Sequence, residues 1–235
     1  MSPLIDVTDL SFRRRRWSLE VEAWSLNPGE VVGLVGPYGS GKTTLLHLLQ
    51  GLFPPDRGAV RVLGVDPWRD PVAARSQVGF ASEDLHHFPL PVPALIGLVA
   101  DYYPGRWDAA LAEELREQLQ IEDSWKIGAL SRGEKVRVGL LLAMAFAPTV
   151  LLLDEPLSGI DLGHKRRVVD LILGVTATGT RSVVISSHNL RDIERIADRL
   201  IVLKDGRVHA SGPTAELVGD ERTLEEAMVA WDVAG

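Results

Sequence analysis

A glycine-rich segment near the start of the chain has the residue types of a phosphate-binding loop. From residue 36 to residue 43 it reads Gly-Pro-Tyr-Gly-Ser-Gly-Lys-Thr. Glycines let successive backbone N–H groups turn toward a phosphate chain, Lys42 can reach its outer oxygens, and Thr43 can ligate Mg²⁺. An ordinary glycine-rich turn between a strand and a helix is the alternative interpretation. The predicted phosphate-binding residues are Gly36, Pro37, Tyr38, Gly39, Ser40, Gly41, Lys42, Thr43 and Thr44.

Two acidic residues follow an apolar run in the second half of the chain. Residues 150–153 are all apolar, and Asp154 and Glu155 come directly after them. A buried strand of this kind places both carboxylates at the sheet edge where α/β proteins bind ligands. We expect Asp154 to hold Mg²⁺ and Glu155 to accept a proton from, or orient, the water that attacks the γ-phosphate. Taken alone, the pattern would also fit a solvated strand end.

The apolar pattern predicts the elements that must position these groups. Residues 31–35 form a predicted strand that enters the glycine-rich segment, and residues 43–49 form the apolar helix that leaves it. The later predictions are strands at 149–153, 182–186 and 200–203, and helices near 161–177 and 189–198. Alternating strands and helices indicate an α/β fold with a largely parallel sheet.

The remaining segments differ in character. Residues 4–10 and 17–26 read as strands on either side of an arginine run at 13–16, which predicts an N-terminal antiparallel β subdomain. A proline-rich stretch followed by a helical pattern predicts an inserted helical subdomain. We expect one domain over residues 1–235, with a core of about 1–83 and 141–235 and a helical subdomain of about 84–140.

The composition excludes several classes of protein. With 25 Lys+Arg and 32 Asp+Glu the net charge is −7, which disfavours nucleic acid as a partner. The absence of cysteine excludes disulfide frameworks, thiolate metal clusters and thiol nucleophiles. We expect no targeting segment, because the first ten residues carry acids. The longest uncharged run, 138–153, is broken by Pro148 and is shorter than the roughly 20 residues of a membrane span. Any membrane-crossing partner would therefore be another chain.

Together with later motifs, these residues resemble the ATP-binding subunits of ABC transporters over nearly the whole chain. Residues 130–134 read Leu-Ser-Arg-Gly-Glu and are similar to the family signature, normally Leu-Ser-Gly-Gly-Gln. The resemblance implies that Ser131 and Gly133 bind the γ-phosphate held by an opposite subunit. Arg132 and Glu134 depart from the signature. Ser131 and Glu134 also have the spacing of a helix capping box, which needs no nucleotide.

Two further segments extend the resemblance. Residues 158–161 resemble the D-loop, which implies that Asp161 lies at a dimer interface beside nucleotide, although Asp161 would equally cap the helix that follows. His188, after a predicted strand, resembles the switch histidine that contacts the γ-phosphate, and a structural histidine is the alternative. The other five histidines form no metal-ligand spacing, and we expect structural or surface roles for them.

Two departures concern magnesium and adenine. The family places a glutamine that contacts Mg²⁺ about where this chain has Glu83, so Glu83 is a candidate ligand. The family also has an aromatic residue that stacks on adenine, and Arg14 falls closest to that slot. Trp17 would occupy it if the hairpin register shifts, and both side chains can stack on a base. A solvated hairpin is the alternative for the arginine run.

The resemblance implies a P-loop NTPase (RecA-like) core and a Mg²⁺-dependent ATPase that uses ATP, with Glu155, His188 and Lys42 as its catalytic residues. It implies a head-to-tail pair of ATP-binding subunits, identical or different, around two nucleotides. The implied partner is an integral-membrane transporter subunit that contacts about 85–103 from the cytoplasmic face of the cell membrane. Residues 102–108 and Arg132 look most like the exporter branch. An ATPase of a soluble assembly and a weakly hydrolysing subunit of a heterodimer are the alternatives.

Overall fold

The fold is described from a computed structural model that covers residues 2–82, 90–219 and 223–231. Its strands are β1 Ile5–Arg14, β2 Trp17–Leu26, β3 Val31–Val35, β4 Arg57–Val62, β5 Val78–Ser82, β6 Val150–Asp154, β7 Ser182–Ser187, β8 Arg199–Lys204 and β9 Arg207–Pro213. Its helices are α1 Lys42–Leu49, α2 Pro71–Arg75, α3 Val92–Tyr102, α4 Ala109–Gln118, α5 Arg132–Met144, α6 Leu162–Thr176, α7 Leu190–Glu194, α8 Thr214–Val218 and α9 Leu224–Ala230, with a 3₁₀ turn at Ile127–Ala129.

The strands that carry the predicted site lie side by side in one sheet. Across the described residues the strand order is β4-β1-β2-β9-β8-β3-β7-β6-β5. β8, β3, β7, β6 and β5 run parallel, whereas β1 pairs antiparallel with both β2 and β4. The predicted α/β class and largely parallel sheet are confirmed. Because parallel strands end at the same edge, the ends of β3, β6 and β7 meet beside α1.

Both faces of the parallel strands are buried. Every residue of β3 and β6 is buried, and alternate side chains point into two separate apolar clusters, one on each face of the sheet. Such strands read as continuous apolar runs, which is why the sequence identified them. On one face the cluster includes four buried leucines of α1, namely Leu45, Leu46, Leu48 and Leu49. The helix after the glycine-rich segment is therefore held firmly against the sheet.

Three strands are not among the elements predicted from the sequence. β4 and β5 are the two outermost strands of the sheet, whereas β9 lies inside it, between β2 and β8. β4 reads Arg-Gly-Ala-Val-Arg-Val and buries only two of its six side chains. β9 pairs antiparallel with β8 and has mostly exposed or half-buried side chains. Strands that bury few side chains lack long apolar runs, so the sequences of β4 and β9 carry a weak signal. The helix predicted near 189–198 is shorter than expected and spans only Leu190–Glu194.

Four helical elements, α3, α4, the 3₁₀ turn and α5, follow β5 in the region where the sequence predicts a helical insertion. Buried side chains from all four, such as Leu95, Leu115 and Ile127, join one of the two sheet clusters. The far end of α5 meets the sheet closely, because a Cβ atom at Gly79 would lie 2.2 Å from the carbonyl oxygen of Ala143. In the described part of the chain, no helix combines the length and the hydropathy that crossing a membrane requires.

Candidate active site

The glycine-rich loop connects β3 to α1 and requires glycine at two close approaches. Gly36 has a φ of 148°, and a Cβ atom there would lie 2.1 Å from the carbonyl oxygen of Leu203. Gly41 has a φ of 112° and caps α1, and a Cβ atom there would lie 2.9 Å from the Trp17 ring. Other residues would be strained and crowded at both positions. The loop therefore wraps tightly in front of the N-terminus of α1.

The turn between β8 and β9 supports this loop from behind. The N–H of Gly206 donates to the carbonyl oxygen of Ser40 at 3.1 Å. The carbonyl oxygen of Gly206 accepts from the N–H of Glu20 at 2.7 Å, which ties the same turn to β2. A Cβ atom at Gly206 would lie 1.8 Å from the Ser18 carbonyl oxygen, so the approach requires glycine. The β8–β9 turn thus links the glycine-rich loop to β2.

Lys42 is the cation of the loop and is only 7% exposed. Its Nζ donates to the carbonyl oxygens of Gly36 at 2.7 Å and Pro37 at 3.1 Å. Burial lowers the pKa of Lys42, and the nearby carboxylates of Glu155 and Asp154 act in the opposite direction. The ammonium is therefore held in place by carbonyl groups of its own loop. Negatively charged phosphate oxygens would replace these carbonyl groups as its hydrogen-bond acceptors.

Asp154 ends β6 as a buried carboxylate with two hydroxyl donors. Thr43 Oγ1 donates to Asp154 Oδ2 at 2.6 Å, and Ser186 Oγ donates to Asp154 Oδ1 at 2.5 Å. A hydroxyl and a carboxylate at this separation offer the oxygen ligands that Mg²⁺ prefers. Among the described residues, no group of three or more His, Cys, Asp or Glu side chains could hold a metal ion.

Glu155 and His188 form a contact pair at the ends of β6 and β7. His188 Nδ1 lies 2.8 Å from Glu155 Oε2, and the His188 backbone N–H donates to the same oxygen at 3.4 Å. Glu155 has a φ of 53°, which is unusual for a residue other than glycine, and its N–H donates to Ser186 Oγ at 3.0 Å. This backbone turn aims the carboxylate away from the strand and toward the cleft, with the imidazole beside it.

A cleft of about 700 Å³ collects most of these groups. Its walls are formed by Trp17, Tyr38, Gly39, Gly41, Lys42, Thr43, Thr44, Ser82, Arg132, Asp154, Glu155 and His188. Its floor carries backbone N–H groups at a helix N-terminus and one buried cation, and these groups suit a bound anion. It also carries carboxylates, which suit a bound cation or a water nucleophile. The arrangement can therefore hold a polyphosphate with a divalent cation and activate a water molecule against it.

The segment at 130–134 begins helix α5. Ser131 is the N-cap, with its hydroxyl accepting from the Glu134 N–H at 3.3 Å and the Glu134 carboxylate accepting from the Ser131 N–H at 2.7 Å. The predicted capping box is confirmed, and these hydrogen bonds lower the pKa of Glu134. Arg132 lines the cleft of its own chain, whereas Ser131 and Gly133 are absent from the lining residues.

The segment at 158–161 packs against the start of α5. A Cβ atom at Gly133 would lie 2.9 Å from Ile160 Cγ2, and one at Gly159 would lie 2.9 Å from the side chain of Arg132. Asp161 caps α6 by accepting from the Gly163 and His164 N–H groups. Hydrogen bonds from His164 lower the pKa of Asp161 to about 2. Asp161 does not line the cleft, and its capping role is the one observed.

The structure separates the two adenine candidates. Trp17 lines the cleft beside Gly41, whereas the guanidinium of Arg14 lies over the Phe53 ring, 5.5 Å from its centroid. Arg14 and Trp17 are paired across the β1–β2 hairpin, but their side chains have different surroundings. Glu83 lies outside the described residues, as does the 85–89 part of the predicted partner surface. Ser82, one residue before Glu83, lines the cleft.

Ser186 is a site residue that was not predicted from the sequence. It donates to Asp154 and accepts from the Glu155 N–H, so it fixes both acidic residues. The available signal is a pair of serines, Ser186 and Ser187, that follow three apolar residues and come directly before His188. Serine is common at strand ends, so this signal alone does not identify a site residue. The role of Ser186 follows from the register between β6 and β7, which sets Asp154 opposite Ser186.

Replacing Trp17 with alanine is expected to weaken ATP binding by about 5- to 150-fold, since stacking on a base contributes about 1–3 kcal/mol. Affinity for inorganic tripolyphosphate should stay unchanged, because the phosphate loop does not lose a donor. Isothermal titration with both ligands measures the two effects. Arg14→Ala and Trp68→Ala are the matched controls, since neither side chain lines the cleft. Equal losses for ATP and tripolyphosphate would contradict a stacking role.

Comparison with known proteins identifies a family. Residues 19–158 match the family model described as ABC transporter. The thiamine import ATP-binding protein ThiQ of Jannaschia sp. (strain CCS1) is 33% identical over 216 residues, which cover 89% of this chain and 94% of that protein. Other curated relatives are longer, and the chain spans 62% and 61% of the length of two of them.

Solved structures agree with this match. An ATP-binding subunit of an ABC transporter superposes with a TM-score of 0.88 at 26% identity, and the match covers 97% of this chain and 99% of that chain. The dimeric, post-hydrolysis structure of the ATP-binding cassette MJ0796 bound to ADP and Pi has a TM-score of 0.76 at 23% identity, with 89% and 98% covered. The fold around the cleft is therefore that of an ATP-binding cassette.

Proposed function

Because the chain belongs to the ABC transporter family, we propose that it is the subunit that binds and hydrolyses ATP to power a separate membrane-embedded transporter subunit. One observation carries the proposal: the cleft brings Lys42, Thr43, Asp154, Glu155 and His188 together around a glycine-rich loop. These groups supply a cation for phosphate, ligands for a divalent cation and a base for water. The role of each site residue is part of the proposal.

The proposed reaction follows from the geometry. Lys42 leaves the carbonyl oxygens of Gly36 and Pro37 for the outer phosphates of ATP. Glu155 takes a proton from a water molecule whose oxygen attacks the γ-phosphorus, while the bond from phosphorus to the β–γ bridging oxygen breaks and ADP and phosphate form. His188 fixes the Glu155 carboxylate through its 2.8 Å contact. Mg²⁺ held by Thr43 and Asp154 would supply charge neutralisation for the phosphates.

We propose that the working unit is a head-to-tail dimer. Ser131 and Gly133 are not among the residues lining the cleft of their own chain, so they are available to close the cleft of a second copy. The MJ0796 cassette, which shares the fold, is described as dimeric with ADP and Pi. ATP would then join the two subunits, and loss of the γ-phosphate would remove the Ser131 and Gly133 contacts and shift the population toward the open pair.

The dimer is tested by mixing two inactive variants. Lys42→Ala disables the phosphate loop, and Ser131→Arg blocks the segment that the partner's nucleotide would meet. A head-to-tail dimer of one variant of each kind contains one intact composite site, so mixing is expected to restore ATP turnover. The double variant Lys42→Ala/Ser131→Arg, mixed with either single variant, is the control and should stay inactive. Turnover that mixing does not restore would contradict a composite site.

We propose that the membrane-embedded partner docks on helix α3. Leu98 and Tyr102 are 51% and 82% exposed there, on a helix that buries only Val92 and Leu95, so α3 presents large apolar side chains on its surface. On this proposal the chain works at the periphery of the membrane, on its cytoplasmic face. Native purification from gently solubilised membranes, followed by mass spectrometry, is expected to yield a multi-span protein at a stoichiometric amount. An exclusively soluble set of partners would instead favour a soluble assembly.

The direction of transport is a separate proposal. The similarity of residues 102–108 and Arg132 to the exporter branch favours export. The comparisons do not support that choice, because ThiQ is named for import at 33% identity. Reconstitution of the chain with its membrane partner in vesicles, with ATP on one side only, decides the question by the side on which substrate accumulates.

A further inference from the structure

His164 joins the start of helix α6 to helix α5 through both ring nitrogens. Its Nδ1 contacts the Asp161 carboxylate, and its Nε2 lies 3.0 Å from Arg137 Nη1. A guanidinium has only donors, so Nε2 serves this contact as an acceptor, and Nδ1 is then the nitrogen that donates to Asp161. One residue thus bridges a carboxylate and a guanidinium on two different helices.

Arg137 is a rigid anchor for this bridge. The same Nη1 donates to the carbonyl oxygens of Leu119 at 3.0 Å and Gln120 at 3.2 Å. The guanidinium also lies over the Trp125 ring, 4.9 Å from its centroid. Burial lowers the pKa of Arg137, while the carboxylates of Glu134 and Asp161 act in the opposite direction. These contacts hold the Arg137 guanidinium in place independently of His164. The contact with Arg137 therefore fixes the position of the His164 ring.

The bridge lies directly behind the two segments that would face a second copy. Asp161 ends the 158–161 segment, and Arg137 stands one helical turn after the capping box that starts α5. In front of the bridge, Gly133 and Ile160 already touch. Gly159 also lies against the Arg132 side chain. Both of these contacts lie in the first turn of α5, and the bridge adds a contact one helical turn further along, which fixes the relative orientation of the two segments.

We propose that His164 is a positioning residue for ATP hydrolysis, which through its contacts with Asp161 and Arg137 fixes the 158–161 segment against the 130–134 segment. Both segments would then reach the nucleotide of a second copy in one orientation. The inference rests on the proposed function, since it concerns the composite site. His164 does not line the cleft and touches no nucleotide itself, so it acts through Asp161 and Arg137.

Two amide substitutions separate the two halves of the bridge. His164→Gln places its amide near the Nε2 position and keeps an acceptor for Arg137. His164→Asn places its amide near the Nδ1 position, so it keeps the Asp161 contact and does not reach Arg137. The asparagine variant loses the hydrogen bond to the charged Arg137, and we expect its kcat to fall by about tenfold. The glutamine variant keeps that hydrogen bond, and we expect its kcat to stay within about threefold of the wild type. The KM for ATP should change by less than about twofold in both.

The measurement is steady-state ATP turnover of the full chain, with melting temperature as a check that both variants fold. Glu117→Gln, on the wall of the same pocket as His164, is the matched control and should match the wild type. Equal loss of kcat in the asparagine and glutamine variants, or no loss in either, would overturn the inference. A wild-type chain that turns over no ATP would instead contradict the proposed function, so the two failures are distinguishable.

Discussion

Replacing Glu155 with glutamine is expected to slow ATP hydrolysis by at least about 100-fold and to leave ATP binding intact, because a general base contributes about 10²- to 10⁴-fold. Glutamine has nearly the same shape and can keep a hydrogen bond with His188 Nδ1, but it does not accept a proton from water. The phosphate loop and the Thr43–Asp154 pair stay unchanged. The variant should therefore stop after binding and before hydrolysis.

Two measurements check this prediction. Phosphate release gives the turnover, and size-exclusion chromatography with ATP gives the oligomeric state, in which a dimer should accumulate because its nucleotides persist. Glu216→Gln, an exposed carboxylate on α8, is the matched control and should hydrolyse and elute like the wild type. Turnover of the Glu155→Gln variant within a few-fold of the wild type would remove Glu155 as the base.

Replacing Lys42 with alanine is expected to weaken ATP binding by about 10- to 150-fold, since hydrogen bonds to a charged group contribute about 1.5–3 kcal/mol. The Lys42 ammonium is hydrogen-bonded to the loop carbonyls. Because Lys42 is buried, water cannot easily take the place of its positive charge beside the phosphates. The variant should still fold, because Lys42 contacts only two carbonyl groups of its own loop by hydrogen bonds.

Titration calorimetry at one fixed salt concentration measures this loss, with adenosine as a second ligand that has no phosphate. Adenosine affinity should not change. Lys126→Ala removes an exposed lysine away from the cleft and serves as the control. A Lys42→Ala variant that binds ATP with wild-type affinity would rule out the assignment of the phosphate loop.

The sequence predicted the centre of the site because its signals are local. The glycine-rich loop, the buried strand before Asp154 and the capping box at Ser131 each depend on neighbours within a few residues. Trp17 and Arg14 could not be separated in this way. Their surroundings depend on the register of the β1–β2 hairpin, in which Arg14 pairs with Trp17 and Arg15 adopts a φ of 57° in the turn.

Contacts between distant segments explain the other omissions. Ser186 acts on Asp154 and Glu155 only because β7 lies next to β6 in a particular register. His164 meets Arg137 across 27 positions of sequence, and its local pattern indicated only a structural or surface residue. Strands β4 and β9 carry few buried side chains, so their pairing is decided by the strands beside them.

The support that the β8–β9 turn gives to the phosphate loop has a consequence for how the protein is made. The loop leaves the ribosome early, but the N–H of Gly206 that holds Ser40 belongs to a turn synthesised more than 160 residues later. Contacts of such high sequence separation form late in folding. A nascent chain that ends before β8 would therefore carry the complete glycine-rich sequence without its supporting turn, and we expect nucleotide to stabilise the chain only near the end of translation.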